Sequence, residues 1–107
     1  MAATVIIYAV RIRIPRTIER TRVVRYLKRE HVPALLRQPG FLSAEVRSVD
    51  DDSVLIVEYR ILGYRSLDRY LKSAAPALRA DFTRELGDAV HVTREVMSPL
   101  FVLKPKR

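Results

Sequence analysis

The sequence predicts an α+β domain of the ferredoxin-like kind, in the order β-α-β-β-α-β, with one antiparallel sheet and two helices on one of its faces. Three observations predict it. Four segments rich in β-branched residues alternate apolar with polar side chains. Two segments between them carry apolar residues at helical spacing, and Pro, Gly and Asp punctuate the junctions.

Thr4 to Ile14 (TVIIYAVRIRI) is the first strand, closed by Pro15, which cannot donate to a ladder. A helix follows from Thr17, a residue suited to an N-cap, to about Leu36. Val24, Leu27, His31 and Leu35 recur on one of its faces, with Arg22, Arg25, Lys28 and Arg29 opposite. Pro33 is expected to kink this helix or restart it for a last turn, and Pro39-Gly40 ends it.

Phe41 to Val49 and Val54 to Ile61 read as strands joined through Asp50-Asp51-Asp52-Ser53, a hairpin. Ser66 is placed as the cap of a second helix, broken at Pro76 and resumed through Leu78, Phe82 and Leu86 to Gly87. Ala89 to Met97 is the fourth strand, and Leu100 to Leu103 suggests a short strand crossing to a partner chain. The whole chain, 1–107, is expected to be one domain with residues 98–107 as a C-terminal extension, since domains cluster at roughly 100–150 residues.

Composition narrows the function classes. A chain that is 49% hydrophobic and 30% charged is globular, and no apolar run reaches the roughly 20 residues of a membrane span. The start MAATVIIYAV lacks the charged region and cleavage site of a signal peptide, so a cytoplasmic protein is expected. Without Cys there is no disulfide or thiolate chemistry, and His31 and His91 form no zinc pattern, so no metal is expected. The net charge of +8 invites nucleic acid, but its Arg and Lys are scattered among Glu and Asp, and only Lys104 to Arg107 forms a run. That placement argues for a solvated surface. With three Gly and no Gly-rich motif, a phosphate-cradling loop is nearly excluded.

Strand parity separates two faces. Tyr8, Val10, Ile12 and Ile14, then Leu42, Ala44 and Val46, then Leu55, Val57 and Tyr59, point toward the helices. Ile7, Ala9, Arg11, Arg13, Arg47, Ile56, Glu58, Arg60 and His91 point away. On that open face Arg11, Arg47, Glu58 and His91 form a candidate polar network, either wet or lining a dimer barrel held by Arg–Glu pairs; the apolar residues among them favour the barrel.

His31 is the first candidate catalytic residue. Its place on the apolar stripe aims an imidazole at the sheet face carrying the Tyr8 and Tyr59 hydroxyls. Imidazole moves protons near neutral pH, and tyrosine hydroxyls orient a carbonyl or enol oxygen. A core His bonded to Tyr or backbone is the competing reading, at even odds. Tyr26, Tyr70 and Leu27 are candidate substrate contacts beside it, although amphipathic side chains at the core edge are the favoured reading of the two tyrosines.

The segments Lys28-Arg29-Glu30-His31-Val32-Pro33-Ala34-Leu35-Leu36 and Pro39-Gly40-Phe41-Leu42-Ser43-Ala44 resemble a small, functionally uncharacterised bacterial family of the dimeric α+β barrel superfamily. Tyr70-Leu71 and Ala75-Pro76-Ala77-Leu78-Arg79-Ala80-Asp81, with Ile7-Tyr8 and Val57-Glu58-Tyr59, extend the likeness over nearly the whole chain. Related families include antibiotic-biosynthesis monooxygenases, polyketide cyclases, haem-degrading oxygenases, and ethyl-tert-butyl-ether-degradation-type proteins with a similar His-x-Pro. The resemblance implies a homodimer with a pocket near His31, Tyr8 and Tyr59 in each subunit; it does not supply a reaction.

The expectation that follows is a cofactor-independent enzyme on a hydrophobic aromatic or polyketide-like small molecule, of cyclase, dehydratase, isomerase or monooxygenase type. The alternative is a non-catalytic ligand-binding or sensing dimer using the same pocket. A haem role would rest on His31 alone as axial ligand.

Overall fold

The computed structural model describes residues 4–106. Met1 to Ala3, where the leader reading begins, and Arg107, the end of the basic run, lie outside the described residues. The elements are β1 (Val5–Arg13), α1 (Arg20–Tyr26), a π-helical turn (Leu27–His31), α2 (Val32–Leu36), β2 (Phe41–Ser48), β3 (Val54–Leu62), α3 (Gly63–Lys72), α4 (Ala75–Leu86) and β4 (His91–Met97). The strands lie in the order β2-β3-β1-β4, every neighbour antiparallel, which is the expected ferredoxin-like sheet. Among the described residues no helix is long and apolar enough to cross a membrane.

The two central strands bring Ile6, Tyr8 and Ile12 beside Leu55, Val57, Tyr59 and Ile61, all buried under the helices. The helices answer with Val23, Leu27, Val32 and Leu35 on one side and Leu67, Tyr70, Phe82 and Leu86 on the other. Each such side chain contributes about 1.5–3 kcal/mol of burial free energy, so this layer holds helices to sheet.

The first helix departs from its expected form in two ways. Thr17 is not its cap: a turn closed by the Ile18 N–H on the Pro15 carbonyl (3.1 Å) delays the helix to Arg20, and Glu19 precedes it without a side-chain cap. The apolar stripe also contains Val23, fully buried, while Val24 is 38% exposed. A continuous 3.6-residue period cannot bury Val23 and Leu27 together with Val32 and Leu35. The π turn resolves this by adding one residue, its Val32 N–H reaching back to the Leu27 carbonyl. Pro33 gives it a cause, because the proline ring opposes the carbonyl four residues back and a wider turn relieves the clash. Pro33 then occupies the first turn of α2, the restart that the sequence suggested.

Ser66 does not cap α3, which begins at Gly63; its hydroxyl donates to the Leu62 carbonyl at 2.8 Å. Gly63, at φ 80°, lets β3 turn straight into the helix. Leu42 does not face the core. A bulge between Phe41 and Ser43 lifts it out of register, leaving it 54% exposed and Phe41 buried in its place. Leu100 to Leu103 form no strand and are exposed.

Candidate functional site

A cavity of about 160 Å³ opens between the helices and the β1–β4 side of the sheet. Its apolar wall includes Val10, Ile12, Leu27, Val57, Phe82 and Val92. Its polar groups are His31, Tyr59, Arg79, Thr83 and Arg94, and none of the residues around it is acidic.

His31 ends the π turn and stands on the boundary between this cavity and a second, polar cleft lined by Tyr26, Arg29, Asp81 and Arg84. Phe82 packs edge-on against its ring at 5.2 Å between centroids, and Tyr26 stacks at 6.0 Å. Its Nδ1 is buried and has no hydrogen-bond partner among the described residues. Burial, with the Arg94 charge adding to it and Asp81 opposing, pushes the imidazole down to about 4. The ring is therefore neutral at pH 7, and with its proton on Nε2 the Nδ1 lone pair is an acceptor.

Tyr59 shares the cavity wall, and burial raises its hydroxyl well above the usual tyrosine range, so it is a donor rather than an anion. Tyr8 lies one ring behind, 6.0 Å from Tyr59 between centroids, and does not line the cavity. It acts on the cavity through a neighbour: its hydroxyl accepts a hydrogen bond from Arg79 Nη2 at 3.2 Å. Tyr70 belongs to the same aromatic cluster, with Phe41 at 5.1 Å, and burial pushes it up to about 12. Like Tyr8 it is outside the lining, whereas Leu27 is in it and Tyr26 lines the outer cleft.

Arg79, Arg94 and Thr83 are the polar residues that sequence reasoning missed, the two arginines having been counted as scattered surface charge. Both arginines carried a signal. Arg79 falls on the buried stripe of α4 made by Ala75, Phe82 and Leu86. Arg94 pairs with Val10 in the sheet, and that register puts it on the helix-facing side.

The open face holds the expected polar residues, only some of them joined. Arg47 Nε donates to Glu58 Oε1 at 2.7 Å and its Nη2 to Glu45 at 3.1 Å. Arg11 and His91 stand apart from this pair, Arg11 opposite Ile56 and Thr93, His91 opposite Arg13. Asp81, in the outer cleft, pairs with Arg84.

A family model described as "Domain of unknown function (DUF4286)" matches residues 5–100. No curated protein sequence matches the chain. Among solved structures it is similar to SnoaB, a cofactor-independent oxygenase from Streptomyces nogalater, with a TM-score of 0.74, 16% identity and coverage of 96% of this chain and 100% of the other. It is similar to a monooxygenase from the gene ActVA-Orf6 of Streptomyces coelicolor, solved with nanaomycin D (TM-score 0.74, 14% identity, 96% and 94% covered). An ethyl tert-butyl ether degradation family protein from Bacillus halodurans gives a TM-score of 0.71 at 14% identity, with 90% and 99% covered. At these identities the likeness establishes the fold.

Proposed function

Because the chain belongs to the DUF4286 family, whose description names no activity, we propose its function from the site itself: a cofactor-independent enzyme that removes a proton from a hydrophobic, ring-bearing small molecule. The observation that carries this is the neutral His31 imidazole, its Nδ1 unpartnered among the described residues, in a side chain that lines an apolar cavity together with Tyr59. Deprotonation beside a carbonyl, or of a phenol, is the first step shared by cyclases, dehydratases, isomerases and oxygenases working without a cofactor. The similarity in fold to the two Streptomyces oxygenases supports the oxygenase branch, in which O2 would react with the anion.

In this reading His31 takes the proton, Tyr59 donates to the substrate oxygen, and Tyr8 holds Arg79 against the site. A conjugate acid near 4 makes a weak base for an isolated substrate. The enolate formed beside the new imidazolium offsets that, since the two opposite charges interact inside a poorly solvated cavity. The outward sheet face and the apolar 100–103 segment are proposed to be covered by a second copy of the chain.

The test is exchange of a substrate C–H for deuterium in D2O, followed by NMR with phenylpyruvate as probe. Wild type is expected to accelerate exchange and His31→Ala to lose on the order of 10²-fold of that acceleration. Equal exchange by the two proteins removes His31 from the mechanism.

A further inference from the structure

Arg79 is half-buried at the edge of the cavity. It sits on the buried stripe of α4, one guanidinium nitrogen committed to the Tyr8 hydroxyl and its Nε buried without a partner among the described residues. A buried donor left unsatisfied costs free energy, which an acceptor delivered by a ligand would recover. Arg94 enters the same cavity from β4. The nearby acid Asp81 is turned to the outer cleft and is paired with Arg84. Two guanidinium groups with no carboxylate between them form a receptor for an anionic oxygen, and guanidinium geometry matches a carboxylate best.

The volume sets the other half of the recognition. At about 160 Å³ the cavity is close to the apolar cavity of about 150 Å³ that holds one benzene. We propose that the pocket takes a one-ring aromatic or alicyclic carboxylate, its carboxylate toward Arg79 and Arg94 and its ring between Val57 and Phe82. This rests on the reading of the cavity as a substrate site and narrows it to a ligand with one ring inside the cavity.

The experiment measures thermal stabilisation of the full chain by benzoate, by its neutral counterpart benzamide, by anthracene-2-carboxylate and by inorganic phosphate, all at equal ionic strength. Benzoate should raise Tm with saturation, and benzamide should bind at least roughly tenfold more weakly, the loss of one charge-assisted contact. Anthracene-2-carboxylate and phosphate should not compete with it. Arg94→Gln, on an exposed edge strand, should abolish the preference for benzoate over benzamide; Arg79→Gln should do the same if it folds, as read by circular dichroism. Equal binding of benzamide, of phosphate or of the polycycle overturns the proposal. Running the series on His31→Gln separates the two readings, because anion preference survives there whether or not His31 is the base.

Discussion

The His31 ring stands edge-on to Phe82 at 5.2 Å and 61°, so the side chain best able to move a proton packs on one side against the helix that also carries Arg79. That contact ties the chemistry of the imidazole to the packing of two separate helices.

Acid should weaken the fold through His31. The folded-state value near 4 lies below the ordinary 6.5, so the unfolded chain takes up a proton first as pH falls. The stability held above pH 6.5 is lost down to pH 4. The loss is on the order of 3 kcal/mol at most, reduced by the partial exposure of the ring. Urea unfolding at pH 7 and pH 4 should show this extra loss in wild type and not in His31→Gln; parallel losses would mean the imidazole is already solvated.

Gly40 should be far less replaceable than Gly87. Both adopt positive φ, 83° and 90°, where any L side chain is strained. A Cβ on Gly40 would also overlap the Ser66 side chain, while one on Gly87 meets open space. Denaturant midpoints should therefore rank wild type, then Gly87→Ala, then Gly40→Ala well below. Equal midpoints for the two variants would show that the β2–α3 approach is looser than described.

Leu27→Ala should trade stability for room. Leu27 is 1% exposed, packs in the core and lines the cavity, so its truncation should cost about 2–5 kcal/mol. It should also admit a two-ring acid such as 2-naphthoate that wild type refuses, measured by ligand-induced Tm shift. Refusal by a variant that remains folded would mean the cavity's size is set elsewhere.

Light scattering should return twice the chain mass, and removal of residues 99–107 should shift the population toward monomer. The apolar Leu100 to Leu103, between 72% and 91% exposed, is a surface that a lone subunit would leave in water. A monomeric full chain would leave the open face as a plain solvated surface.

Much of the architecture was legible because strand alternation is a period-2 signal that survives edge effects. Tyr8 and Tyr59, assigned to the helix-facing side by parity alone, are neighbours in the ladder. The π turn was not legible, since one inserted residue shifts the helical period and moves burial from Val24 to Val23 with no mark in composition. Pro33 signalled a disturbance but not its form. His31 could be placed beside the sheet by spacing, yet the two arginines that give the cavity its charge looked like the others on the surface. The strand parity that places Arg11 and Arg47 on the open face places Arg94 on the other, and the spacing of Ala75, Phe82 and Leu86 places Arg79 on the buried stripe of α4.

The most direct test of the central claim, a neutral base in an anion-accepting pocket, is the NMR titration of His31 with and without benzoate. The account predicts a free-protein pKa near 4 that rises when benzoate binds, because an added negative charge stabilises the imidazolium. A titration near 6.5 that benzoate leaves unmoved would contradict it.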